Sequence, residues 1–164
     1  MKYIFLDIDG VLNSYEFLIS DRSRCCHTLD ESRVKLLAEI VHETGAAIVL
    51  SSSWRVGWLH TADRVRTDSY TAALKALFNR YDITVVGCTQ LYNADSREEE
   101  IYNYVKNYLT KYDSWVAIDD ENLHISEPRF VKTDLYKGKG LEEFHLPLIR
   151  KALNLTIEQE WNNY

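Results

Sequence analysis

Residues 3–10 read YIFLDIDG, a short apolar run closed by Asp7, Ile8, Asp9 and Gly10. The run is too short for a globular helix and is bounded by turn residues, so it predicts a buried strand with two carboxylates at its carboxyl end. Gly10 permits the sharp turn that carries the chain away from that end. Residues 46–50 (AAIVL), 83–86 (ITVV) and 115–118 (WVAI) have the same character, and the last is followed at once by Asp119 and Asp120.

Between these runs the apolar residues recur at helical spacing. A helix is predicted over 30–44, capped by Asp30 and stopped before Gly45, with others over 69–81 and 97–112. A fifth short strand is expected near 130–132 and a closing helix from about 141, which Pro147 should bend or split. Strands alternating with helices imply parallel pairing with right-handed helical crossovers. The predicted fold is a three-layer α/β/α, Rossmann-like sandwich with a mainly parallel sheet and no large cap, built as a single domain over residues 1–164.

At 164 residues and 46% hydrophobic, the chain can bury a substantial core without metal or disulfide support. The net charge of −6 gives no global basic field, which disfavours tight nonspecific nucleic-acid binding while leaving room for a local patch. Cys25, Cys26 and Cys88 have neither disulfide-framework nor zinc-site spacing. Carboxylates interrupt the N-terminal apolar stretch too early for a signal peptide or a membrane span. These features point to a cytoplasmic protein with no membrane partner.

Ligands of open parallel sheets bind beyond the carboxyl ends of the strands, where Asp7, Asp9, Asp119 and Asp120 all fall. A single such pair reads first as ordinary turn or helix-cap residues, and it is the second pair that reverses that balance. Four together would repel one another unless a hard divalent cation with oxygen ligands relieved the repulsion, so the expected cofactor is Mg2+. Asp7, Asp9, Gly10 and Glu16 also match four positions of an EF-hand loop, but Phe5 at its first position and a strand-like lead-in rule against calcium binding of that kind.

FLDIDGVL (residues 5–12) resembles the first motif of the haloacid dehalogenase (HAD) superfamily, and AIVLSSSW (47–54), Arg97 and VAIDD (116–120) follow in the order of its second, third and fourth motifs. The resemblance spans roughly residues 3–145. It implies a magnesium-dependent phosphatase in which Asp7 is the nucleophile and Asp9 the general acid/base. The metal ligands would be Asp7, the backbone carbonyl of Asp9, and one or both of Asp119 and Asp120. Ser52, with Ser51 as runner-up, would offer a hydroxyl to a phosphate oxygen. Gly10 and Ser53 complete the expected phosphate-binding set, Arg97 replaces the usual lysine, and Arg55 ranks below it as a possible substrate contact. With SSSWR and DDEN and little room for insertions, the chain further resembles the small HAD domains found in RNA-repair (Swiss Army Knife) proteins. The implied partner is a small phosphorylated substrate or a phosphorylated nucleic-acid end.

Other signals are weaker. Cys25-Cys26-His27 lacks the arginine six positions on that a cysteine phosphatase requires, and the five histidines have no metal-binding spacing. Gly138-Lys139-Gly140 lacks the rest of a phosphate-binding loop and reads as a turn. Tyr104, Tyr108 and Tyr112 share one helical face, which suggests packing. Two other functions use the same residues: phosphoryl transfer to an acceptor other than water, and a non-enzymatic phosphate-binding or phospho-switch module. Asp9 weighs against the switch, since a pure phospho-acceptor needs no general acid.

Overall fold

The computed structural model describes residues 1–20, 29–59, 69–90 and 95–161. Five strands form one parallel sheet: β1 (Lys2–Leu6), β2 (Ala47–Leu50), β3 (Val85–Cys88), β4 (Ser114–Asp119) and β5 (Phe130–Lys132), in the order β3-β2-β1-β4-β5. Helices α1 (Tyr15–Leu18), α2 (Glu31–Thr44), α3 (Arg55–Leu59), α4 (Ser69–Arg80), α5 (Arg97–Tyr108), α6 (Leu146–Leu153) and α7 (Ile157–Trp161) connect or flank them. Among the described residues no helix is long and apolar enough to cross a membrane.

Both faces of the sheet are covered, which explains why its strands are apolar without interruption. Ile4, Leu6, Ile48, Leu50, Val116 and Ile118 pack with Val34 and Leu37 of α2, Leu74 and Phe78 of α4, and Ile149 of α6. On the opposite face Phe5, Val49, Trp115 and Ala117 pack with Ile101 of α5 and Ile157 of α7. Phe5 stands edge-on to both Tyr104 and Trp115. The three-layer α/β/α arrangement expected from the alternation of strands and helices is therefore present.

Local signals set several boundaries as expected. Asp30 caps α2 by accepting from the Ser32 N–H, and the helix ends at Gly45, whose N–H donates to the Val41 carbonyl. Three predicted elements differ. β3 starts at Val85 instead of residue 83, because Asp82 turns left-handed and Ile83 donates to the Phe78 carbonyl, so these two residues close α4. α5 stops at Tyr108, not residue 112: Leu109 is extended and Asp113 accepts from both the backbone and the hydroxyl of Thr110. Tyr112 therefore lies beyond the helix and is exposed, as is Tyr108, while Tyr104 is the member of that trio packed in the second core. Pro147 sits in the first turn of α6, directly after a 3-10 turn at Glu143–His145. A missing N–H is harmless there, so the proline starts the α-helix where the 3-10 turn ends.

Register aligns the ends of the central strands. Leu6 pairs with Leu50 on one side and Ile118 on the other, so Asp7, Ser51 and Asp119 follow in one row at the carboxyl edge. The Asp7 N–H donates to the Ile118 carbonyl and the Ser51 N–H to that of Leu6, at 3.0 and 2.8 Å. From β1 the chain adds β2 and β3 on one side and then returns to add β4 on the other. That reversal opens a crevice between β1 and β4 at the row's centre.

Candidate active site

Asp7 lies at the floor of this crevice, 5% exposed. Its carboxylate accepts from the Ser52 hydroxyl and from the Ile8 backbone N–H, and Arg97 Nη1 donates to Oδ1 at 2.9 Å. Arg97 is the first residue of α5, whose N-cap is Ser96, and helical side chains lean toward the N-terminus, so its guanidinium reaches back over the strand ends. The same Nη1 donates to Asp119 Oδ2 at 3.0 Å and to the Ser51 carbonyl at 2.8 Å. One cation thus braces the ends of β1, β2 and β4.

Asp119 is fully buried, and its second oxygen accepts from the Glu121 N–H at 2.8 Å. Asp120 is half-buried beside Gly10. Oxygens of Asp7, Asp119 and Asp120 all lie within 4.8 Å of one another. Burial, followed by repulsion from Asp7, lifts Asp119 to about 7 and Asp120 to about 6. Asp7 is also raised by burial, against the pull of Arg97, while Arg97 remains protonated throughout. Three carboxylates facing one guanidinium leave negative charge uncompensated. An all-oxygen donor set of this charge and spacing suits a hard divalent cation.

Asp9 differs from Asp7 although only Ile8 separates them. Its carboxylate is exposed and lies outside the cluster of three. Asn13 Nδ2 donates to Oδ1 and Trp54 Nε1 to Oδ2, both at 2.9 Å. Asn13 is completely buried, and its Oδ1 accepts from the Gly10 N–H at 2.8 Å, which fixes the orientation of its amide.

Gly10 is required for two independent reasons. Its φ is +72°, and an added Cβ would lie 2.6 Å from Asp120 Cβ and 2.7 Å from Asp120 Oδ2. Gly10→Ala should lower stability by about 1–3 kcal/mol through left-handed strain and crowding. It should also displace Asp120 from the cluster of three carboxylates; unchanged stability in denaturant melts would contradict the close packing.

The remaining predicted residues divide. Ser51 and Ser52 are both buried, but it is Ser52 whose hydroxyl meets Asp7, while Ser51 offers its carbonyl to Arg97. Ser53 is exposed. Arg55, the lower-ranked candidate for a substrate contact, makes its polar contacts toward the interior. It is buried, donating to Thr89 Oγ1 at 3.0 Å and to Glu100 Oε1 at 2.9 Å. Thr89 approaches Ser51 Oγ at 3.5 Å, so this pair shores up the end of β2 from behind. Cys25, Cys26 and His27 lie outside the described residues. The Cys88 thiol is half-buried and pushed up to about 11 by burial, which makes it a poor nucleophile.

Two contributors were not singled out in the sequence for these roles. The Trp54 contact with Asp9 depends on the turn after β2, and no local pattern announces it. Gly140 is the other: its φ is +76°, and a Cβ there would meet the Val11 and Asn13 carbonyls at 2.5 and 2.7 Å. The turn read at 138–140 therefore packs directly on the loop that carries Asp9, and Leu141 N–H donates to the Val11 carbonyl.

No curated protein and no solved structure matches the chain. A family model describing the HAD domain in Swiss Army Knife RNA repair proteins matches residues 3–145, from β1 through the 3-10 turn that precedes α6. Since that match takes in all five strands and the whole carboxylate crevice, the chain belongs to this family of HAD domains.

Proposed function

We propose that the chain, acting as one hydrolase domain, is a magnesium-dependent phosphatase that cleaves phosphate monoesters through an aspartyl-phosphate on Asp7. Family membership supports a phosphohydrolase type of function in general. The observation that carries the specific reading is the contrast between the two neighbouring acids: Asp7 is buried and braced by Ser52 and Arg97, whereas Asp9 is exposed and held outside the cluster.

In the first step an Asp7 oxygen attacks phosphorus while the bond to the leaving oxygen breaks, and Asp9 gives that oxygen a proton. In the second, the Asp9 carboxylate takes a proton from water, which attacks phosphorus and breaks the bond between the Asp7 oxygen and phosphorus in the acyl phosphate. Inorganic phosphate leaves and both side chains return to their starting forms. Ser52 and Arg97 bind phosphate oxygens during these displacements. A magnesium ion held by Asp7, Asp119, Asp120 and the Asp9 carbonyl would offset the charge of carboxylate and phosphate when bound.

The family's description favours phosphorylated nucleic-acid ends or nucleotides as substrates. Phosphate release should be measured with magnesium on 4-nitrophenyl phosphate, nucleotides, sugar phosphates, and 5′- and 3′-phosphorylated DNA and RNA oligonucleotides. Turnover of at least one class is expected. Folded, metal-loaded protein that turns over none of them would refute the reading.

A further inference from the structure

We infer that Trp54 and Asn13 are positioning residues that fix the Asp9 carboxylate for proton transfer, an inference that rests on the phosphatase reading above. Each Asp9 oxygen accepts one hydrogen bond from a different element: Oδ1 from Asn13 in the turn after β1, Oδ2 from Trp54 in the turn after β2, both at 2.9 Å. Two donors on two oxygens fix the plane of a carboxylate that is otherwise exposed and free to rotate. Each oxygen keeps a lone pair for a leaving group or a water.

Neither donor is itself loose. Asn13 is 0% exposed and is locked by the Gly10 N–H. The Trp54 indole packs against the larger core and stands edge-on to Tyr70 of α4, with ring centroids 5.8 Å apart. Its backbone follows Ser52, whose hydroxyl meets Asp7. A single turn after β2 therefore carries a phosphate-side hydroxyl and the indole that aims the proton-transfer group. The spacing Ser52-Ser53-Trp54 links the two halves of the chemistry.

Trp54→Phe keeps the aromatic packing and removes the donor. The quantity to measure is kcat/KM, which reports events up to phosphoenzyme formation, with an alkyl phosphate and with 4-nitrophenyl phosphate. A misaimed acid penalises a poor leaving group and spares a good one, so the loss with the alkyl ester should exceed that with the aryl ester by about tenfold or more. In an Asp9→Asn background the same substitution should add little. Equal losses on both esters, no loss on either, or full additivity with Asp9→Asn would overturn the inference.

A second measurement does not depend on how Trp54→Phe folds. Among the indole N–H resonances of the wild-type protein, one should shift on Asp9→Ala; if none moves, the Trp54 contact is absent and the inference fails. An inactive wild type would remove the phosphatase reading and this one with it. An active wild type with flat leaving-group dependence for Trp54→Phe removes only this one.

Discussion

Asp7→Asn is expected to lower phosphate release by about a thousandfold or more and to form no phosphoenzyme, while Asp9→Asn, with an activated aryl phosphate, still forms one and accumulates it. The amide at position 7 is a poor nucleophile, so the first displacement fails for every ester. Its loss should not be one of folding, since the substitution removes a buried charge that desolvation disfavours. In the proposed mechanism Asp9 acts on protons, so its loss should scale with what the leaving group requires. For alkyl esters the penalty should fall within the 10²–10⁴ range typical of general acid–base catalysis. For 4-nitrophenyl phosphate the first step needs little protonation, but the attack of water on the phosphoenzyme still lacks its base. Rapid quenching followed by mass spectrometry decides the matter. A phosphate adduct on a residue other than Asp7, or one that persists in Asp7→Asn, would rule out this mechanism.

The row of acids and serines at the sheet edge was legible because burial on both faces makes strands read as uninterrupted apolar runs. A polar residue that ends such a run marks the carboxyl edge, as Asp7, Ser51 and Asp119 do. The cap at Asp30 and the stop at Gly45 were legible for a different reason, since they arise from backbone groups a few residues away. Thr156-Ile157-Glu158-Gln159 carries the same kind of local signal: Thr156 and Gln159 exchange side chain to backbone hydrogen bonds at the start of α7, a helix the apolar pattern alone did not separate. What stayed hidden depends on contacts between distant segments. Arg55 finds Glu100 only because α5 crosses behind β2, and Trp54 finds Asp9 only because two strand-end turns meet. The β3 boundary was hidden too, because Ile83 looks like a strand residue but is spent on closing α4.

Removal of divalent metal is expected to abolish turnover, and the metal-free protein should become less stable as pH rises. The sign follows from the direction of the shifts. Asp119 lies at about 7 and Asp120 at about 6 in the folded chain, and Asp7 is raised as well, against about 3.9 for an aspartate in an unfolded chain. A raised carboxyl binds its proton more tightly when folded, so its contribution to stability is complete below about pH 4. It is lost as pH climbs through 6 and 7, when the folded protein must hold the charges it has buried together. Magnesium should reverse this, because a cation held by the ionised carboxylates would compete with their protons. Its stabilising effect should therefore be small at pH 5 and large at pH 8. Where the metal is a hundredfold above its Kd, binding adds about 2.7 kcal/mol, roughly 5–10 °C in melting temperature for a chain of this size. Melting curves from pH 5 to 8, with magnesium and with EDTA, isolate the effect in the difference between the two series, since groups remote from the crevice titrate alike in both. In parallel, phosphate release should stop with EDTA and return with added magnesium. A magnesium-induced shift of the same size at pH 5 and pH 8 would mean that Asp7, Asp119 and Asp120 are not the carboxylates that receive the metal, and turnover that survives chelation would remove the metal from the mechanism.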